Sequence, residues 1–185
     1  MRSTILVILL TAFASLLLAS PGSARNVIVV DGTGGDGAVL RAPEIQPGDT
    51  VTTIDYPATM MWPSYDQSVE AGKRSLRAEL ASSPEGTLVI GYSQGSRIAG
   101  DVLTEPQHPG VTGVLYSDPR QTGSGVETQT WMPSIFGVTM SGERSAFTVP
   151  VESKCIEGDG VCDWRNNDPV GSVIGYLRHH QRYYD

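Results

Sequence analysis

Gly91-Tyr92-Ser93-Gln94-Gly95 is a G-x-S-x-G stretch, a pattern that can present a serine hydroxyl as a nucleophile. With 21 glycines in 185 residues the pattern arises readily by chance, so its flanks must carry the argument. Thr87 to Ile90 before it reads as a buried strand, and Gly95 to Leu103 after it reads as a helix. A strand-to-helix turn this tight strains its central residue, and side chains at Gly91 and Gly95 would collide with neighbouring elements. Ser93 then projects from the carboxyl edge of a sheet. A phosphate-binding loop is the weaker reading, because the lysine such loops carry is absent.

A serine hydroxyl attacks poorly until a base takes its proton, and a carboxylate must hold that base in one tautomer. Downstream of Ser93 come a loop running from Cys155 to Cys162 and then His179-His180. The order Ser, Asp, His is that of α/β-hydrolases and not of the chymotrypsin or subtilisin folds. Asp159 is favoured as the acid because glycines flank it and a cysteine pair brackets its loop. Asp163 and Glu157 compete with it. Asp118 follows an earlier strand and is read as ordering the Pro119-Arg120 turn, and His108, before Pro109-Gly110, as a surface residue.

Helical geometry separates the two terminal histidines if the last helix runs through them. Asp168 is a candidate N-cap, Pro169 suits the first helical position, and Val170, Val173, Ile174 and Leu177 form one apolar stripe. At about 100° per residue His180 lies roughly 70° from the centre of that stripe and His179 roughly 170°. His180 is therefore expected at the buried border, as the base, with His179 in solvent. For the oxyanion, one donor is expected from the backbone N–H of Gln94. The other is expected from the loop Asp31-Gly32-Thr33-Gly34-Gly35, where Thr33 offers both N–H and hydroxyl.

The elements that must position these groups alternate β-branched runs with segments of helical period, and nothing repeats at a fixed interval. Strands are expected at Val27 to Val30, Thr50 to Asp55, Thr87 to Ile90, Val111 to Tyr116 and Phe147 to Val151, with a weaker one at Phe136 to Met140. Their nearly continuous apolar character suits a parallel sheet buried on both faces. Val69, Gly72, Leu76 and Leu80 mark an amphipathic helix laid on it. Met60, Met61, Trp62, Trp131, Met132, Ile135 and Phe136 lie in loops and are candidates for an acyl-binding surface.

Composition bounds what this site serves. The charge is -7, from 13 basic and 20 acidic residues, and such a surface repels a phosphate backbone, so no nucleic-acid partner is expected. Residues 1–24 have one cation at Arg2, an apolar run from Ile5 to Leu18 and the small residues Gly22 and Ala24. That is the order of a secretory signal peptide cleaved near Ala24, leaving one domain over 25–185. Export to an oxidising compartment makes a Cys155–Cys162 disulfide the expected state of the only two cysteines. The three histidines show no metal-ligand spacing, so no metal is expected.

GYSQG after TLVI, the CxxGDxVC loop and a terminal HxxY resemble the cutinase-like serine esterases, and most closely the PE-PPE domain family of actinobacterial α/β-hydrolases. Tyr56-Pro57-Ala58, Gln67-Ser68-Val69, Gly72 and Ser117-Asp118-Pro119-Arg120 extend the resemblance along nearly all of 27–184. It implies a small α/β-hydrolase fold with a central, mostly parallel sheet flanked by helices. It also implies cleavage of carboxylic esters of short to medium acyl chains, without cofactor, by Ser93, Asp159 and His180, with Thr33 and Gln94 at the oxyanion. Cutinases usually carry a second disulfide, which this chain cannot form. The expected protein is a secreted serine esterase with an ester or lipid substrate, making transient contact with lipid or the cell envelope. The alternative is a non-catalytic hydrolase-fold protein that binds envelope lipid or a host surface.

Overall fold

The computed structural model describes residues 24–107, 109–134 and 137–185. The expected signal segment lies outside these apart from Ala24, as do His108, Ile135 and Phe136. Five strands, β1 (Asn26–Val30), β2 (Thr50–Thr53), β3 (Leu88–Tyr92), β4 (Thr112–Tyr116) and β5 (Val151–Lys154), form one sheet in the order β2-β1-β3-β4-β5. Every neighbouring pair is parallel. The helices are α1 (Tyr65–Ser82), α2 (Gln94–Val102) and α3 (Pro169–His179).

The central strands are apolar on both faces because both faces are covered. Ile28, Val30, Val89 and Leu115 point to one side, where Val69, Leu76 and Leu80 of α1 and Ile98 and Val102 of α2 pack on them. Val27, Val29, Leu88, Ile90 and Val114, one step out of phase, point to the other, against Val39 and the C-terminal Tyr183 and Tyr184. The stripe Val69, Gly72, Leu76, Leu80 is buried as its spacing predicts. Ser64 starts α1 with a capping box: its hydroxyl accepts from the Gln67 amide while the Gln67 side chain accepts from the Ser64 amide.

Three expectations are corrected. The last strand falls at Val151–Lys154, sharing only Val151 with the expected run, because Pro150 has no N–H for the ladder and so precedes the strand. Phe147 and Val149 instead pack against the core from outside the sheet. Among the described residues 137–140 there is no strand, only an isolated bridge at Val138. The third correction concerns α3. Its apolar stripe faces solvent, with Val170 68% and Leu177 73% exposed, and its buried residues are Ser172 and Gly175. A close approach of backbones selects that face: side chains at Gly160 and Gly175 would run into the carbonyl oxygens of Ser172 and Gly158.

Candidate active site

Strand order reverses between β1 and β3, and the crevice at their carboxyl ends is where such a sheet offers a site. Ser93 follows β3 directly and precedes α2 with φ 54° and ψ -119°, a conformation costing a non-glycine residue about 1–3 kcal/mol. Two contacts hold it there. The Ser93 amide donates to the Tyr116 carbonyl at 2.9 Å, and the turn is pressed against β1 so closely that a side chain at Gly95 would meet the Val30 carbonyl. At Gly91 a Cβ would lie 2.7 Å from the Gly95 carbonyl oxygen.

His180 Nε2 lies 2.9 Å from Ser93 Oγ, and His180 Nδ1 lies 3.1 and 3.2 Å from the two Asp159 oxygens. With the proton on Nδ1, the Ser93 hydroxyl donates to Nε2 and Nδ1–H faces the carboxylate. The Tyr92 ring stacks on the imidazole at 5.2 Å, and the Tyr92 hydroxyl donates to the His180 carbonyl. Asp159 is fully buried and also accepts from Ser117 Oγ, Tyr183 Oη at 2.8 Å and the Val161 amide at 3.1 Å. Burial opposes ionisation of this carboxyl, but the bonds from His180, Ser117 and Val161 outweigh it and hold it below the usual carboxylate range.

A Cys155–Cys162 disulfide closes the loop that carries Asp159. The competitors face elsewhere: Asp163 accepts from the Gly158 amide and Arg165, and Glu157 stands 91% exposed beside Arg165. Asp118 accepts from the Arg120 amide, as its turn reading requires, and pairs with Arg144. His179 is not in open solvent. Half-buried, it packs against Gly158, in the middle of the buried face of α3, whereas His180 sits on the flank that meets Ser93. The apolar-stripe argument thus singles out His180 from a face that is in fact exposed.

Gln94 is the first residue of α2, where an N–H has no acceptor within its helix. Its buried side chain is tied down, accepting from Ser68 Oγ at 3.3 Å and donating to the Thr59 carbonyl at 2.9 Å. Thr33 and Ser93 line the same cavity. The loop bearing Thr33 is ordered by Asp31, whose buried carboxylate accepts from the amides of Gly32, Gly37 and Val39. Sequence reasoning passes over Asp31, although an Asp-Gly pair at a strand end signals such a turn.

The cavity beside Ser93 measures about 210 Å³, and its apolar walls come from Met60, Val126, Val138, Val161 and Tyr176. Among the described loop residues expected to bind acyl chains, Met60 lines it, while Met61, Trp62 and Trp131 are exposed away from it. A buried ionic cluster that sequence reasoning missed meets the cavity at Tyr65 and Glu127, which line it. Arg97 pairs with Glu127 and Asp101, Arg120 and Arg144 join it at Asp101, and Tyr65 Oη donates to Glu127 at 2.7 Å. Burial raises the Glu127 carboxyl and lowers the Arg120 guanidinium to about 10. The cluster anchors the 117–127 loop on α2, so the cavity wall is fixed by charge as well as packing. Among the described residues no group of three or more His, Cys, Asp or Glu could hold a metal ion.

Five parallel strands flanked by helices, with this crevice at their carboxyl ends, make a cutinase-like hydrolase fold. Among solved structures the chain is similar to a cutinase-like protein from Cryptococcus sp., with a TM-score of 0.52 at 20% identity, covering 83% of this chain and 91% of that one. A family model for the PE-PPE domain matches residues 47–153, and the chain belongs to that family. The matched stretch includes Ser93 and Gln94 and ends before Asp159 and His180. No curated protein matches the chain.

Proposed function

We propose that this protein is a secreted serine esterase that hydrolyses carboxylic esters of short to medium acyl chains. The observation that carries the reading is the continuous line from a strained Ser93, through His180 Nε2 at 2.9 Å, to a buried Asp159 beside an apolar cavity. Ser93 Oγ attacks the ester carbonyl as His180 takes its proton, and the tetrahedral oxyanion is held by the Gln94 N–H and by Thr33. Collapse gives the acyl-enzyme and an alcohol protonated by His180. Water activated by the same imidazole then releases the acid. Secretion is supported by the disulfide and by the apolar N-terminal run.

The cavity is smaller than the roughly 300 Å³ at which drug-sized pockets begin, which favours short acyl groups. On p-nitrophenyl esters of graded length, kcat/KM should rise by up to about fourfold per methylene, the equivalent of about 0.8 kcal/mol, and level off once the cavity is filled. A fluorophosphonate probe should label Ser93 and leave Ser93→Ala unlabelled, as mapped by mass spectrometry. Labelling elsewhere, or none in folded protein, would leave only a hydrolase-fold binding module.

The substrate reaches this site from a lipid surface. The outward apolar stripe of α3 belongs to the same helix as Tyr176, which lines the cavity, and this supports the reading. Arg178 and Arg182 are exposed at its end, and no carboxylate lies between Asp168 and Asp185, a local charge suited to phospholipid phosphates on a chain that is acidic overall. Leu177→Glu should lower binding to phosphatidylcholine vesicles about tenfold or more, because the exposed face loses a leucine that the bilayer would bury and gains a charge to desolvate. Hydrolysis of a soluble short ester should not change. Equal vesicle binding by the variant and the parent would remove α3 from the contact.

A further inference from the structure

We propose that Ser117 is a fourth, positioning member of the group. Its hydroxyl bridges Asp159 and His180, so that the imidazole keeps both its Nδ1 proton and its aim at Ser93. The inference rests on the esterase reading above and names a residue which that reading does not use. Ser117 follows β4 directly, is fully buried, and has φ 51°, one of three positive values at non-glycine residues among the described residues. Glycine would hold this turn without strain, so a serine kept here is kept at a conformational cost. Its side chain accounts for that cost.

Ser117 Oγ lies 2.5 Å from Asp159 Oδ2 and 2.9 Å from His180 Nδ1. A hydroxyl has one proton and two lone pairs, so it donates to the ionised carboxylate and accepts from Nδ1–H. The carboxylate oxygens stand farther from Nδ1, at 3.1 and 3.2 Å, which makes the hydroxyl oxygen the nearest acceptor. The Nδ1 proton is therefore shared between a neutral and an ionised acceptor. Tyr183 and the Val161 amide hold the carboxylate from its other sides, and the Ser117 amide donates to the Lys154 carbonyl of β5 at 2.9 Å. The bridging atom thus sits on the sheet, while the acid and the base come from a loop and from the end of a helix.

No proton passes through Ser117. As Ser93 attacks, its proton goes to His180 Nε2, and the imidazolium keeps Nδ1–H directed at Ser117 Oγ and the carboxylate. A group acting in this way sets the orientation of the base without touching the ester, so its loss lowers kcat and spares KM.

The test compares Ser117→Ala with Ser117→Gly. Both remove the hydroxyl, but glycine adopts the positive φ freely and keeps the turn. On a soluble p-nitrophenyl ester, both should lower kcat about tenfold with KM within about twofold, the scale of one lost hydrogen bond to a charged group. In proton NMR, the downfield Nδ1–H signal of His180, assigned by its absence in His180→Ala, should move in both. Full kcat in Ser117→Gly would overturn the proposal, since the turn alone would then explain any loss in Ser117→Ala. An unmoved Nδ1–H signal would overturn it as well. That signal is read without turnover, so an inert wild type would count against the esterase reading and leave the bridge to be decided by the spectrum.

Discussion

Replacing His180 by alanine is expected to lower kcat for a soluble ester by about 10⁴-fold or more, while His179→Ala costs less than about tenfold. The two residues are adjacent, yet the end of α3 sends them to different places. His180 Nε2 is 2.9 Å from Ser93 Oγ, and His179 packs on Gly158, away from the nucleophile. Without an imidazole no other described group within hydrogen-bonding reach of Ser93 Oγ can take its proton, so only binding and the oxyanion donors remain. His179→Ala loosens the seat of α3 on the acid loop, an indirect and smaller effect. Circular dichroism on both variants separates loss of chemistry from loss of fold. The reverse ranking would make His179 the base.

Features whose chemistry is contiguous were legible in the sequence. GYSQG between a strand run and a helix run locates Ser93, and a cysteine pair around Gly-Asp-Gly locates Asp159, because each depends on residues within one turn or one loop. The central strands were legible for a related reason: burial on both faces demands apolar residues at every position. The seating of α3 was not. Its buried face is chosen by backbone contact with the 158–160 loop, which requires Gly175 and Ser172 and leaves the bulky stripe outside, so hydrophobic periodicity pointed the wrong way. Ser117, Tyr183 and the ionic cluster around Asp101 and Glu127 were hidden for a different reason. Their partners come from separate segments, and pairing across tertiary structure leaves no mark on local spacing. Edge strand β5 is polar, and Pro150 shifts its start, so an apolar-run criterion placed it too early.

Asp159→Asn should lower kcat by about 10³ to 10⁴-fold with only a small fall in melting temperature at neutral pH. The carboxylate accepts from Nδ1–H of His180, Ser117 Oγ, Tyr183 Oη and the Val161 amide, four donors around one buried group. Asparagine keeps the shape and one acceptor oxygen. The hydroxyls of Ser117 and Tyr183 can turn to accept from its NH₂, so the packing and most of the hydrogen bonds survive. Catalysis does not survive, because an amide donor facing Nδ1 favours the tautomer with the proton on Nε2. That nitrogen then has no lone pair for the Ser93 proton. Asp159→Ala, by contrast, leaves buried donors unpaired and should lower stability as well. The depressed pKa of Asp159 adds a pH signature whose sign follows from linkage: its stabilisation is present above the ordinary value of 3.8 and is lost as pH falls through the lower folded value. Asp159→Asn should accordingly flatten the acid side of the stability profile, measured as melting temperature between about pH 2 and pH 6. An Asp159→Asn variant with a tenth or more of the parent kcat would show that the base is oriented by other groups, with Ser117 the nearest of them.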